Sequence, residues 1–326
     1  MADLHVHFDR PLTADEAAVL KPLLSPAIAL SAGADAPADA TILISGRPTR
    51  EQLAAAPGLR AVVIPWAGLP GETRDLLADF PGVAVHNLHH NAAPVAELAL
   101  MLLLAAAKFA LRYDRALRAG DWRPRYERAT PALLLDGKTA LILGYGAIGR
   151  RVAAACRALG MTTLATRRRL SAPAMDEGTL VHPPAALADL LPRAEALIIC
   201  LPHTPRTDGL LGAAELGLLP SHSVLVNIGR GRIVDEAALY AALRDGRLRA
   251  AGLDVWYSYP PDEAARAAWP PSAYPFHELD NVIMSPHRGG AADETARLRM
   301  TALAAMLNDA ARGREMGNRV DVEVGY

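Results

Sequence analysis

Short apolar runs recur along the chain, separated by helical patterns and by proline or glycine breaks. Runs at 4–8, 27–30, 41–44, 60–64 and 83–86 read as strands, so the first part of the chain predicts an alternating α/β domain. A polar stretch at 87–94, NLHHNAAP, leads into a long apolar helix predicted over 95–119, with Pro94 suited to its first turn and Gly120 ending it. Residues 123–131 are irregular and proline-punctuated, as expected of a crossing between domains. Strand-like runs then return at 139–143, 161–166, 195–201, 223–228, 249–255 and 281–284, with helical patterns at 150–159, 185–191 and 236–244 and a last helix over 291–312. This alternation predicts a doubly wound parallel sheet with ligands at the carboxyl ends of its strands. The segment 257–275, with Tyr259, Trp269 and Tyr274, reads either as a packed surface excursion or as a wall of a site.

One unit organises the rest. The strand at 139–143 runs into Gly144, Tyr145, Gly146, Ala147, Ile148 and Gly149, a Gly-x-Gly-x-x-Gly turn, and a helical pattern follows. In a β-α-β unit of roughly thirty residues this is a dinucleotide signature. Gly144 permits the tight turn, Gly146 lets backbone approach a pyrophosphate, Gly149 lets helix and strand pack closely, and the helix N-terminus offers amides to phosphate. At the end of the second strand, where an acidic residue would bind the ribose hydroxyls of NAD, the chain carries Thr166, Arg167, Arg168 and Arg169. A guanidinium there suits the 2′-phosphate of NADP, so NADP is the expected cofactor, with NAD possible.

Composition narrows the class. Thirty-four basic residues against 35 acidic ones leave a net charge of −1, with no basic stripe pointing to nucleic acid or an anionic membrane. Two cysteines, Cys156 and Cys200, make no disulfide framework. The N-terminus lacks the regions of a signal peptide and the apolar run at 98–107 is too short to span a bilayer, so a cytoplasmic location is expected. His86, His89 and His90 have no acidic or cysteine companion at a zinc-motif spacing, and no metal is expected.

Three loops after predicted strands carry candidate chemistry: LPHTPRT at 201–207, NIGRGRIVDEAAL at 227–239 and SPHRGG at 285–290. With NAAPVAELAL, AGDW, LDGKTALILGYGAIG and GLDVW, they resemble the D-2-hydroxyacid dehydrogenase family, a likeness running from about 83 to 312. The resemblance implies two Rossmann-like or flavodoxin-like α/β domains. Residues 1–107 and 290–326 would form a substrate domain, 108–289 an inserted cofactor domain, and the chain would form a homodimer through its cofactor domains. By position, Arg230 is similar to the family's substrate arginine and His287 to its acid/base. Asp254 matches the aspartate facing the nicotinamide carboxamide. Leu201, Pro202, Thr207, Ile228, Gly229 and Gly289 fall at cofactor-lining positions, and Trp66, Ala67, Gly68 and Asn91 at substrate-binding ones. The chemistry agrees: a guanidinium can grip a 2-oxo acid's carboxylate and polarise its carbonyl, and an imidazole can move the proton.

One position departs from the pattern. Where the family usually pairs a glutamate with the catalytic histidine, this chain has Tyr259, which joins the catalytic set. A neutral phenol can orient the ring without stabilising imidazolium, so a lowered His287 pKa is expected, with reduction fading at a lower pH than in glutamate-bearing relatives. Asp262 or Glu278 could supply the missing acid from another direction. The expected function is NADP-dependent interconversion of a 2-oxo acid and a D-2-hydroxy acid. Tyr259 leaves open a formate- or phosphite-type dehydrogenase, or a dinucleotide-sensing, corepressor-like protein.

Overall fold

The computed structural model describes residues 4–127 and 132–326. The sequence-based crossing at 123–131 therefore falls partly outside the described residues; the described part holds a short helix, Arg123–Tyr126. The chain forms two compact units, one running to Asn91 and resuming at Ala291, the other spanning Ala92–Gly290. The second is thus inserted in the first.

In the first unit, β1 (Leu4–Phe8), β2 (Ile28–Ala32), β3 (Ile42–Ile44), β4 (Ala61–Ile64) and β5 (Ala84–Asn87) make a parallel sheet in the order β5-β4-β3-β1-β2. The short strand Arg319–Val320 adds antiparallel to β5. The period of two along each strand feeds two cores. Val6, Phe8, Ile42, Ile44 and Val63 pack with Met300, Leu303 and Leu307 of the helix Thr295–Ala311, whereas Leu43, Val62, Ile64 and Val85 pack with Leu53 and Leu77 on the other face. Polar contacts add to this packing: Asn308 of that helix accepts the Ser25 N–H at 2.8 Å and donates to the Leu23 carbonyl at 2.7 Å. Buried Glu16, in a capping box with Thr13, binds Arg10 at 2.7 Å and Arg299 at 3.3 Å, and its bonded Arg10 lowers its pKa to about 2.

In the second unit, β6 (Thr139–Leu143), β7 (Thr162–Thr166), β8 (Ala174–Asp176), β9 (Thr179–His182), β10 (Ala196–Ile199), β11 (Val224–Asn227), β12 (Ala250–Leu253) and β13 (Val282–Met284) form one sheet. Its order is β13-β12-β11-β10-β6-β7-β9-β8, parallel except for the β8–β9 pair. The strand order reverses between β6 and β10, the switch point at which doubly wound sheets take ligands. Successive β6 residues face opposite cores, Ala140 and Ile142 on one side and Leu141 and Leu143 on the other.

Two local differences from the sequence pattern have physical causes. The single helix expected over 95–119 is two, Ala92–Ala107 and Ala110–Arg118, bent by 66° where Phe109 adopts a left-handed φ of 51°. The first piece is buried against β11, β12 and the helix Ala147–Ala158, and a Cβ on Gly252 of β12 would lie 2.7 Å from the Leu102 Cβ. That close packing places 92–107 in the second unit, and the units divide at Asn91 instead of after residue 107. The hairpin of β8 and β9 was not anticipated. No single helix among the described residues is long and apolar enough to cross a membrane.

Candidate active site

At the carboxyl end of β6 the backbone turns through Gly144, whose φ of +97° favours glycine and whose Cβ would lie 2.9 Å from the Cys200 carbonyl oxygen. A Cβ on Gly149 would sit 2.1 Å from the Gly144 oxygen, so helix and strand meet without room for a side chain. The helix Ala147–Ala158 starts from Gly146, which supplies no side-chain cap. Its first-turn amides, with the positive end of the helix dipole, are suited to a phosphate. Cradle and uncapped helix together fit a dinucleotide pyrophosphate. Ala147 is exposed and Ile148 half-buried beside it. Tyr145 points away: its hydroxyl donates to the Asp176 carbonyl at 3.1 Å and Arg150 lies 4.7 Å over its buried ring. The carbonyl of buried Thr166 accepts the N–H groups of Gly144 and Tyr145 at 3.2 and 2.9 Å, fastening the turn to the end of β7. Arg167 and Arg168 follow, both exposed.

The loop after β10 is latched by Thr207, whose hydroxyl donates to the Pro202 carbonyl and accepts the Thr204 N–H, each at 2.8 Å. Leu201 and Pro202 are half-buried, and the Leu201 carbonyl comes so near Gly229 that a Cβ there would lie 2.5 Å away. After β11, the Asn227 side chain accepts the Gly229 N–H and donates to the Arg230 carbonyl, both at 3.0 Å. This fixes the turn that presents Arg230 beside buried Ile228 and Gly229.

His287 sits two residues after Ser285 in a left-handed turn, φ +57°. Asp254, 2% exposed at the end of β12, holds that turn: it accepts the Ser285 hydroxyl at 2.6 Å, the Arg288 N–H at 2.8 Å and the Gly289 N–H at 3.0 Å. A Cβ on Gly289 would lie 2.9 Å from the Asp254 carboxylate, so glycine is needed there. The Trp256 indole adds a bond to the Ser285 carbonyl at 2.8 Å. Replacing Asp254 with alanine leaves these donors without an acceptor, at about 1–3 kcal/mol for each buried one. A lower urea midpoint together with lost activity is the expected result; an unchanged midpoint would show that the turn holds without the carboxylate.

Tyr259 meets His287 directly, with its Oη 3.0 Å from Nδ1 and also 3.0 Å from the Trp256 backbone nitrogen. The imidazole pKa is lowered from its ordinary 6.5, first by burial and then by the Arg230 charge, against an opposing pull from Asp254. The direction agrees with the expectation drawn from the missing glutamate, but the lowering here comes from burial and Arg230. Neither candidate acid replaces that glutamate: Asp262 caps its own turn through the Ala265 N–H at 2.9 Å, and Glu278 lies 3.9 Å from His277. The excursion 257–275 is folded on itself and its neighbours. Trp269 donates to the Ser258 hydroxyl at 2.7 Å, and Tyr274 stacks on Tyr240 at 5.2 Å.

Four singled-out residues lie in the first unit. The Trp66 ring covers Gly46 and remains 38% exposed, the Trp66 carbonyl accepts the Leu88 N–H at 3.3 Å, and the Ala67 carbonyl accepts the Asn87 amide at 2.8 Å. Gly68 is half-buried, and the Asn91 Oδ1 is buried without a partner among the described residues. Sequence reasoning overlooked Asn227, Trp256 and Ser285, each inside a quoted motif. Their signal was their place at strand ends, but Asn227 acts within its own turn and Trp256 and Ser285 join the loops after β12 and β13.

These features define a two-domain α/β protein with a dinucleotide cradle at its topological switch. Residues 100–289 match the family described as D-isomer specific 2-hydroxyacid dehydrogenase, NAD binding domain. The chain is 32% identical over 294 residues to glyoxylate/hydroxypyruvate reductase B of Pectobacterium atrosepticum, covering 90% of this chain and 86% of the relative. It is 31% identical over 289 residues to D-3-phosphoglycerate dehydrogenase of Methanocaldococcus jannaschii, covering 87% of this chain and 52% of the relative, so it spans about half of that protein. Among solved structures, a D-isomer specific 2-hydroxyacid dehydrogenase from Xanthobacter autotrophicus Py2, in complex with NADPH and MES, matches with a TM-score of 0.79 at 26% identity over 100% of both chains. The chain belongs to the D-isomer specific 2-hydroxyacid dehydrogenase family.

Proposed function

We propose that this protein is an NADP-dependent oxidoreductase that reduces a 2-oxo acid to the D-2-hydroxy acid. The observation that carries the proposal is the placement of Arg230, His287 and Tyr259 on loops after β11, β13 and β12 of the same sheet whose β6 opens the dinucleotide cradle. When bound, the reduced nicotinamide supplies the hydride. Arg230 binds the substrate carboxylate and polarises the carbonyl, so negative charge gathering on the carbonyl oxygen is stabilised in place. His287 delivers the proton to that oxygen. Asp254 keeps the imidazole aimed through the Ser285–Gly289 turn, and Gly229, Ile228, Pro202 and Leu201 line the cofactor side. Trp66, Ala67, Gly68 and Asn91 are assigned to substrate on their motif. Assembly as a homodimer belongs to the same proposal; Trp122 and Tyr126, 61% and 76% exposed in the inserted unit, are apolar surface that pairing would cover.

Arg167 and Arg168 are assigned to the 2′-phosphate, with Thr166 beneath them. Replacing both with alanine removes charge-assisted bonds of about 1.5–3 kcal/mol each, so the KM for NADPH should rise at least about tenfold while that for NADH changes little. An equal change for both coenzymes would remove this assignment.

The proposal is tested by following NADPH and NADH oxidation at matched concentrations with glyoxylate, hydroxypyruvate, pyruvate, phenylpyruvate and a longer 2-oxo acid. Turnover with NADPH is expected. Turnover with NADH alone would overturn the coenzyme, and turnover only with formate or phosphite and the oxidised coenzyme would overturn the substrate class.

A further inference from the structure

We propose that Tyr259 is the proton source behind His287, so that a neutral imidazole can protonate the product. The inference rests on the function proposed above and concerns how its proton is supplied. A backbone N–H can only donate, so at the 3.0 Å contact with the Trp256 nitrogen the Tyr259 oxygen accepts. The phenolic hydrogen is then available to the other neighbour at 3.0 Å, the His287 Nδ1. With Nδ1 accepting, the neutral ring carries its hydrogen on Nε2, the nitrogen turned away from Tyr259. A carboxylate in the same place would accept only, and would put the hydrogen on Nδ1. The phenol therefore reverses the tautomer.

The charged groups facing the pair are Arg230 and Asp254. Burial is the larger influence on both, raising the Tyr259 phenol and lowering the His287 imidazole, and within that Arg230 disfavours imidazolium and favours tyrosinate. Asp254 acts oppositely on both, but its carboxylate already accepts three hydrogen bonds from the turn. Tyr259 is 46% exposed, so solvent reaches it.

As hydride bonds to the carbonyl carbon, the C=O π pair moves to oxygen, which forms an O–H bond with the Nε2 hydrogen. That N–H bond breaks, Nδ1 takes the phenolic hydrogen, and the Oη–H bond breaks to leave a tyrosinate facing the Trp256 N–H and Arg230. A solvent proton at Nε2, with return of the Nδ1 hydrogen to Oη, restores the starting state. One solvent proton is consumed in each turnover, as reduction requires. With the phenol as proton source, the fading of reduction expected from a low imidazole pKa no longer follows for the native chain; it becomes the behaviour expected of Tyr259→Phe.

The test follows single-turnover hydride transfer from NADPH to glyoxylate or phenylpyruvate across pH in the native chain, Tyr259→Phe, Tyr259→Glu and His287→Ala. The native rate should stay level above the imidazole pKa, Tyr259→Phe should lose about tenfold per pH unit there, and Tyr259→Glu should begin its fall at a higher pH than Tyr259→Phe. If Tyr259→Phe tracks the native chain while His287→Ala is inactive, the relay fails and the function stands. If His287→Ala keeps the native rate, the proton donor lies elsewhere and the relay fails with it, whereas absence of hydride transfer in the native chain would overturn the function itself. A second readout needs no substrate: in nitrogen-15 NMR of the NADP-bound protein above the imidazole pKa, His287 should carry its hydrogen on Nε2. A predominant Nδ1–H form would overturn the relay.

Discussion

Replacing His287 with alanine is expected to lower kcat for 2-oxo acid reduction by about 10²–10⁴-fold, the range that a positioned general acid supplies. NADPH binding should change little, because the cradle lies at Gly144–Gly149 and the His287 turn is held through the Ser285 hydroxyl and the Arg288 and Gly289 amides. Stability should fall only slightly, since alanine tolerates the left-handed φ of +57° somewhat less well than histidine. A fall in kcat with an unchanged dissociation constant for NADPH therefore separates chemistry from folding. A variant retaining native kcat would place the proton donor elsewhere.

Removing the guanidinium is the second large effect. Arg230→Ala is expected to reduce kcat/KM by about 10²–10³-fold, comparable with the loss of a donor aimed at developing oxyanion charge. The side chain spends one N–H on the Gly229 carbonyl at 2.6 Å, and in the proposed reaction its remaining donors grip the substrate carboxylate. Arg230→Lys should recover only part of the loss, because an ammonium is a point charge and cannot match a carboxylate with two parallel bonds. The comparison of kcat/KM among the three proteins checks this; a lysine variant equal to the native chain would mean that charge alone suffices.

Much of this architecture was legible in the sequence because strands buried on both faces are short unbroken apolar runs. The strands Leu4–Phe8 and Thr139–Leu143 and the helix Glu236–Arg244 fall at their expected limits. Features set by contacts were not legible. Nothing in the apolar pattern around Phe109 marks its left-handed backbone, since neither glycine nor proline stands there to end the helix. The β8–β9 hairpin is short, and Met175 within it is 68% exposed, so it carries little hydrophobic signal. At the site, the sequence singled out Asp254 and Tyr259, but the three donors on Asp254 and the His287 partner of Tyr259 come from the loop after β13, and the Trp256 N–H meets the phenol only through the local fold of its own loop. Motifs name the groups, and packing decides which hydrogen each one holds.

The most direct test of the account is the product itself. Phenylpyruvate should be incubated with the purified protein and NADPH, and the phenyllactate formed should be resolved by chiral chromatography against a His287→Ala control. The account predicts the D-isomer from the native chain and little or none from the variant. The L-isomer, a racemate, or equal product from both proteins would contradict it.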